Sequence, residues 1–179
     1  MRYTKNKALA KIEGDNINQF KLLWDYSYEL KRTHPGSTVI IDYDERHGVN
    51  EANVFKRIYI CLKPLVEGFH AGCRKLIGLD GCHTKGMHQQ QILTAVSIDA
   101  NNGWWPIAWA VVEQENYTTW GWFLNYLQQD LRIPNNDSYC FISDKQKVTF
   151  LCAYFITSYC NNVLTSSLLT LNMYLLHHW

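Results

Sequence analysis

The chain has 179 residues, of which 47% are hydrophobic, 14% aromatic and 18% charged, so we expect one soluble folded domain, with or without flanks, and not a disordered chain. The 17 Lys and Arg residues against 16 Asp and Glu leave a formal charge of +1, which excludes the basic surplus of a protein that holds nucleic acid by itself. Six cysteines follow a start, Met1 to Leu9, that lacks the apolar core of a signal peptide. A secreted disulfide framework is therefore not expected.

The cysteines and histidines offer only a weak metal-binding pattern. Cys73, Cys82, His83 and His88 together carry the donor atoms of a zinc site. The chain contains no CxxC, and these pairs lack the short spacing of structural zinc knuckles. We therefore do not favour zinc binding.

Residues 1–73 are predicted to be mainly helical. Apolar residues at helical spacing predict two helices, Lys5 to Ile12 and Ile17 to Arg32. The sequence His34-Pro35-Gly36 ends the second helix. Two short strands and a further helix are predicted next: Ser37 to Asp42, Val54 to Tyr59, and Cys61 to Phe69. We assign 1–73 to a helical region that precedes the core.

Residues 74–147 have a pattern that gives a clear order of elements. Three strands, a helix and a fourth strand are predicted: Lys75 to Asp80, Gln91 to Asp99, Pro106 to Glu113, Thr118 to Leu131, and Tyr139 to Ser143. Asn101-Asn102-Gly103 is a hairpin signal between the second and third strands. The predicted order is β-β-β-α-β.

This order brings two aspartates together. Because strand–helix–strand crossovers are right-handed and return beside a neighbouring strand, the fourth strand is expected to pair with the first in parallel. Asp80 and Asp144 would then end adjacent strands, roughly 5 Å apart. Two carboxylates that close repel each other unless a proton or a divalent cation lies between them, and carboxylate oxygens suit Mg²⁺. The alternative is that each aspartate is only a turn residue that accepts backbone hydrogen bonds.

The same residues resemble a known family. Four segments are similar to the catalytic core of plant Mutator-like element (MULE) transposases: LIGLDGCHTKG (76–86), QQILTAVSIDANNGWWPIAWAVVEQEN (90–116), TTWGWFLNYLQQDL (118–131) and FISDKQK (141–147). Residues 7–41 and 54–74 resemble the helical region that precedes that core.

The resemblance implies an α/β, RNase H-like mixed sheet whose Asp-Asp-Glu triad binds two Mg²⁺ or Mn²⁺ ions and cuts and joins DNA ends in the nucleus. Asp80 corresponds to the first catalytic and metal-binding aspartate and Asp144 to the second. The DNA-binding zinc module that usually precedes the family's core is expected to be absent, in agreement with the near-zero net charge. The sequence leaves open whether the chain forms a homo-oligomer.

The sequence departs from the family pattern in three places. Thr84 replaces a large apolar residue, and Val148 stands where a Gly-led helix is expected after Lys147. The third acid is missing, because Val148 to Trp179 contains no Asp or Glu. Asp130 is predicted to lie at the far end of its helix. Glu113 and Glu115, at the end of the third strand, are predicted to be solvent-facing or turn residues, and they are the first substitutes to consider.

The last segment, 148–179, is predicted to be an aberrant uncharged tail on a truncated core. Every charged residue lies at or before Lys147. Asn161 and Asn162 divide the segment into two apolar stretches of about a dozen residues, each shorter than the roughly 18 to 20 residues that span a bilayer. A membrane anchor is thus disfavoured, as is a buried hairpin. We prefer the explanation that residues 148–179 are translated from a shifted reading frame or a retained intron.

Two functions of different classes follow from this sequence. The first is a MULE-type transposase fragment, related to DNA transposition by two-metal cleavage and strand transfer but inactive alone. The second is a non-catalytic, transposase-derived interaction or transcription-regulatory protein in which both aspartates are vestigial. Metal binding distinguishes the two.

Overall fold

The computed structural model describes residues 20–44, 54–84, 90–133, 139–143 and 163–165. Within these ranges three α-helices follow a short 3-10 turn: Leu23–Thr33 (α1), Lys63–Gly72 (α2) and Tyr117–Leu131 (α3). The same ranges hold seven strands: Thr38–Asp44 (β1), Val54–Cys61 (β2), Leu76–His83 (β3), Gln91–Ile98 (β4), Trp104–Val112 (β5), Cys140–Ser143 (β6) and Val163–Thr165 (β7). The predicted helix Lys5 to Ile12 lies outside the described residues.

All seven strands belong to a single mixed sheet in the order β1-β2-β5-β4-β3-β6-β7. β3, β4 and β5 form an antiparallel meander. β6 pairs with β3 in parallel, with Leu76 opposite Cys140 and Gly78 opposite Ile142. The fold is therefore a mixed α/β fold, and the predicted pairing of the first and fourth core strands is confirmed.

The structure contains the predicted turn at Asn101-Asn102-Gly103 and the predicted helix end before Gly36. Asn102 adopts a left-handed conformation (φ 65°) in the turn between β4 and β5, where the Asp99 N–H donates to the Gly103 carbonyl at 2.9 Å. Gly36 follows α1 with φ 87°, a backbone conformation that strongly favours glycine. The hairpin and the end of the helix are thus both confirmed.

The region before residue 74 contributes more than helices. β1 and β2 extend the core sheet, because β2 pairs antiparallel with β5 from Ile58 to Cys61. Their β-branched residues favour extended backbone, so the strands were predicted, but their place in the sheet was not. α2 begins at Lys63 and not at Cys61, since Cys61 is the last residue of β2. The boundary between 73 and 74 stays a prediction.

The two faces of the sheet are covered to different extents. We call the face that packs against α2 and α3 the inner face. Its core is made of fully buried side chains, among them Tyr59, Ile77, Leu93, Phe123 and Phe141. On the opposite, outer face, α1 packs near β1 and β2 around Val39, Ile58 and Ile60.

Because both sheet faces are covered in this fold class, the sequence predicts that the apolar residues of β3 to β6 and of α3 are mostly buried. Those on the inner face and on α3 are buried as predicted: Ile77, Leu79, Leu93, Ile107, Phe123, Leu127 and Phe141. The others are only half-buried: Leu76, Ile92, Val96, Trp109, Val111 and Ile142. In the described part of the chain these residues are therefore buried on the inner face and partly buried on the outer face.

β7 lies inside the segment predicted to be an aberrant tail. It pairs in parallel with β6, with Phe141 opposite Val163 and Ser143 opposite Thr165. None of the helices in the described ranges is long and apolar enough to cross a membrane.

Candidate metal centre

Asp80 lies within β3 and not at its end. The strand continues to His83 because Cys82 and His83 stay paired with Ile92 and Gln91 of β4. Leu79 is buried on the inner face, so the alternation of the strand directs the exposed Asp80 to the outer face. The prediction that this strand ends at Asp80 is wrong, but the carboxylate is accessible as a metal ligand requires.

The peptide that joins Asp80 to Gly81 is fixed by two hydrogen bonds. The Gly81 N–H donates to Asp80 Oδ1 at 2.8 Å. On the same peptide, the Asp80 carbonyl accepts from Thr94 Oγ1 at 3.1 Å. Asp80 therefore accepts a backbone hydrogen bond, as the turn interpretation expected, yet it does so inside a strand.

Asp144, the second predicted ligand, lies outside the described residues. The described part of β6 ends at Ser143, which is 3% exposed and whose hydroxyl has no hydrogen-bond partner among the described residues. The separation of Asp80 and Asp144 stays a prediction.

The two candidate substitutes for a third acid, Glu113 and Glu115, and the rejected Asp130 lie in different places. Asp130 is at the far end of α3, where it accepts from Thr38 Oγ1 at 2.6 Å and Tyr59 Oη at 2.8 Å. Glu113 is exposed just after β5. Glu115 is half-buried on the inner-face side of β3, and its Oε1 accepts from Trp120 Nε1 at 3.0 Å. Asp130 thus accepts its hydrogen bonds at the end of α3 that lies far from Asp80, as predicted.

Glu115 lies directly against the residue that follows Asp80. A Cβ atom added at Gly81 would be 2.9 Å from Glu115 Oε2, too close for an unaltered structure. This contact was not predicted from the sequence, although a glycine inside a strand is a known sign of close approach by another group. Glu115 is therefore half-buried and not fully solvent-facing, and it lies in the turn between β5 and α3, as the other part of the prediction expected.

The zinc pattern is not assembled among the described residues. Cys73 precedes β3 and Cys82 lies near its last residue, so roughly 25 Å of extended chain separates them. No cluster of three or more His, Cys, Asp or Glu side chains in the described ranges could hold a metal ion. His88 lies outside those ranges. Cys61, Cys73, Cys82 and Cys140 are free thiols.

The donor chemistry at Asp80 suits a hard divalent cation. Mg²⁺ and Mn²⁺ prefer carboxylate and water oxygens, and the outer face presents the Asp80 carboxylate to solvent beside the Thr94 side chain. The described residues supply one carboxylate to such a site. Asp80 is therefore the described residue that could ligate such an ion, and Asp144 lies outside the described ranges.

A comparison with family models finds a match, and it covers the part of the chain that contains the predicted site. Residues 76–153 match the MULE transposase domain, a stretch that contains Asp80, α3, β6 and Asp144. The match continues past Lys147, where the similarity was expected to end. No curated protein and no solved structure matches the chain. Residues 76–153 are therefore similar to the MULE transposase domain, and the resemblance that the motifs indicated is confirmed for this stretch.

Proposed function

We propose that this chain is a fragment of a DDE-type MULE transposase with an RNase H-like core, related to the cutting and joining of DNA ends in the nucleus. The observation that carries the proposal is the parallel register of β3 and β6. Gly78 lies opposite Ile142, so the same register, continued by two residues, would set position 144 opposite Asp80. The order of three antiparallel strands, a crossover helix and a parallel fourth strand supports the same core.

Asp80 and Asp144 are the residues that would hold Mg²⁺ or Mn²⁺. When bound, such ions activate the attacking oxygen and stabilise the leaving oxygen in phosphoryl transfer. The chain itself orients the Asp80 carboxylate through the Gly81 N–H and anchors the Asp80 carbonyl through the Thr94 hydroxyl. Both contacts reduce the conformational freedom that the carboxylate would lose on binding a cation.

We propose that the fragment is inactive alone. A two-metal centre needs a further acid, and none of the described carboxylates completes a cluster with Asp80. Asp130 is held by Thr38 and Tyr59, and Val148 to Trp179 contains no Asp or Glu. The expected affinity for one ion is therefore weak.

The test is a Mn²⁺ titration of the full chain by calorimetry, together with incubation with a labelled transposon end. We expect millimolar binding that Asp80→Ala and Asp144→Ala remove, and no DNA cleavage above the level of these variants. Asp25→Ala, on α1, is the matched control and should bind Mn²⁺ like the unaltered chain. Metal-dependent cleavage that either substitution abolishes would overturn the proposed inactivity.

A non-catalytic, transposase-derived interaction or transcription-regulatory role is the second proposal. Large apolar side chains exposed on α1 favour it, since Trp24 is 59% and Tyr28 69% exposed. Mn²⁺ binding that is absent, or unaffected by Asp80→Ala, would support this role over the first.

A further inference from the structure

A chain of contacts connects the strand that carries Asp80 to the start of α3. We call it the strand–helix clamp and define it by Gly81, His83, Gln91, Glu115 and Trp120. Glu115 has its carboxylate against Gly81 and accepts from the indole of Trp120, which is 1% exposed. The Glu115 N–H donates to Gln91 Oε1. The clamp thus joins β3, β4 and α3.

The side-chain amide of Gln91 accepts one hydrogen bond of the clamp and donates another. Because Gln91 Oε1 accepts from Glu115, its Nε2 is the atom that donates to His83 Nε2 at 2.8 Å. His83 Nε2 is then the acceptor of this hydrogen bond. Gln91 is 8% exposed, so its amide is largely buried, whereas the His83 ring is exposed.

Gly81 transmits the position of the clamp to Asp80. Its N–H is the donor that orients Asp80 Oδ1, while the space where a side chain would stand is filled by Glu115. A displacement of Gly81 would therefore move the hydrogen bond that holds the Asp80 carboxylate.

We propose that Glu115 is a positioning residue for Asp80, acting by its shape and its contact with Gly81 and not as a metal ligand. This inference rests on the proposed metal-binding role of Asp80. Glu115→Gln keeps the shape and an oxygen acceptor for Trp120, whereas Glu115→Ala removes both. Gly81→Ala adds a methyl group where the carboxylate lies and pushes it away.

The experiment is a Mn²⁺ titration of the full chain in which the relaxation rate of the water protons reports how much Mn²⁺ is bound. We expect at least a threefold loss of affinity in Glu115→Ala and Gly81→Ala, and a change below twofold in Glu115→Gln. Glu67→Ala, which removes an exposed acid on α2, is the matched control and should leave the affinity unchanged. If Gly81→Ala does not fold, Glu115→Ala and Glu115→Gln still decide the matter.

A second measurement reports on the clamp without metal. The Trp120 indole N–H resonance should shift and exchange faster with solvent in Glu115→Ala, but not in Glu67→Ala. A loss of Mn²⁺ affinity in Glu115→Gln as large as in Glu115→Ala would overturn positioning in favour of a charge effect. Binding that needs Asp80 yet is unaffected by Glu115→Ala contradicts the positioning role alone. Binding that survives Asp80→Asn contradicts the proposed metal site itself.

Discussion

The two faces of the sheet differ in how completely they are covered. On the inner face, Leu93 is fully buried beneath α3, whereas its neighbour Ile92 on the outer face is half-buried. The inner face holds the fold together, and the outer face carries the accessible Asp80. A single strand can therefore serve stability with one set of alternating residues and a candidate site with the other.

The largest expected effect compares adjacent residues of β4. Leu93→Ala should lower the free energy of unfolding by about 2–5 kcal/mol, because it leaves a cavity in a packed core. Ile92→Ala should cost about 1 kcal/mol, since its site is already partly hydrated. Urea denaturation of both variants measures the difference. Equal losses would show that the two faces contribute equally to stability.

Alternation explains how much of the fold was predictable. Strands such as β4 and the helix α3 follow from the spacing of apolar residues, and the handedness of crossovers gave the pairing of β3 with β6. The same alternation could not reveal that the outer face is incompletely covered, because burial of Ile92 and Val96 depends on which other elements pack there.

The candidate site was predictable only in part. Asp80 was found because a carboxylate follows an apolar run. The continuation of β3 to His83 was missed, since Asp-Gly is typical of a turn and only pairing with Gln91 and Ile92 extends the strand. The contact of Glu115 with Gly81 depends on where α3 packs, which local sequence does not encode.

Asp130 tests whether a polar group at the edge of the inner face also supports the fold. Asp130→Ala should lower the free energy of unfolding by about 1–3 kcal/mol, because Tyr59, fully buried, loses the acceptor of its hydroxyl. Asp130→Asn keeps an acceptor oxygen and should cost less. Glu113→Ala is the exposed control. Thermal and urea unfolding of the three variants should rank them in this order, and an Asp130→Ala variant as stable as the control would contradict it.

Ser143 is an exception on the inner face, since its buried hydroxyl has no hydrogen-bond partner in the part of the chain that the structure describes. Ser143→Ala removes that unsatisfied group and should raise the free energy of unfolding by about 1 kcal/mol. Ser97→Ala is the matched control, because the Ser97 hydroxyl donates to the Arg74 carbonyl at 2.8 Å and its removal should destabilise the chain. A lower stability of Ser143→Ala would mean that the hydroxyl has an acceptor.

The smallest expected effect concerns pH. Burial, with a secondary contribution from Asp130, raises the pKa of Cys61 from 9.0 to about 12. Above pH 9 the unfolded chain releases this proton and the folded chain keeps it, so the free energy of unfolding falls as pH rises, by at most about 1.4 kcal/mol per pH unit. Burial raises the pKa of Tyr59 in the same direction.

Cys61→Ala should therefore lose less stability between pH 7.5 and 9.5 than the unaltered chain, by about 1 kcal/mol in urea denaturation. Cys82→Ala, which removes an exposed outer-face thiol, should behave like the unaltered chain, and an equal response of all three would show that the inner face does not shield Cys61 from ionisation.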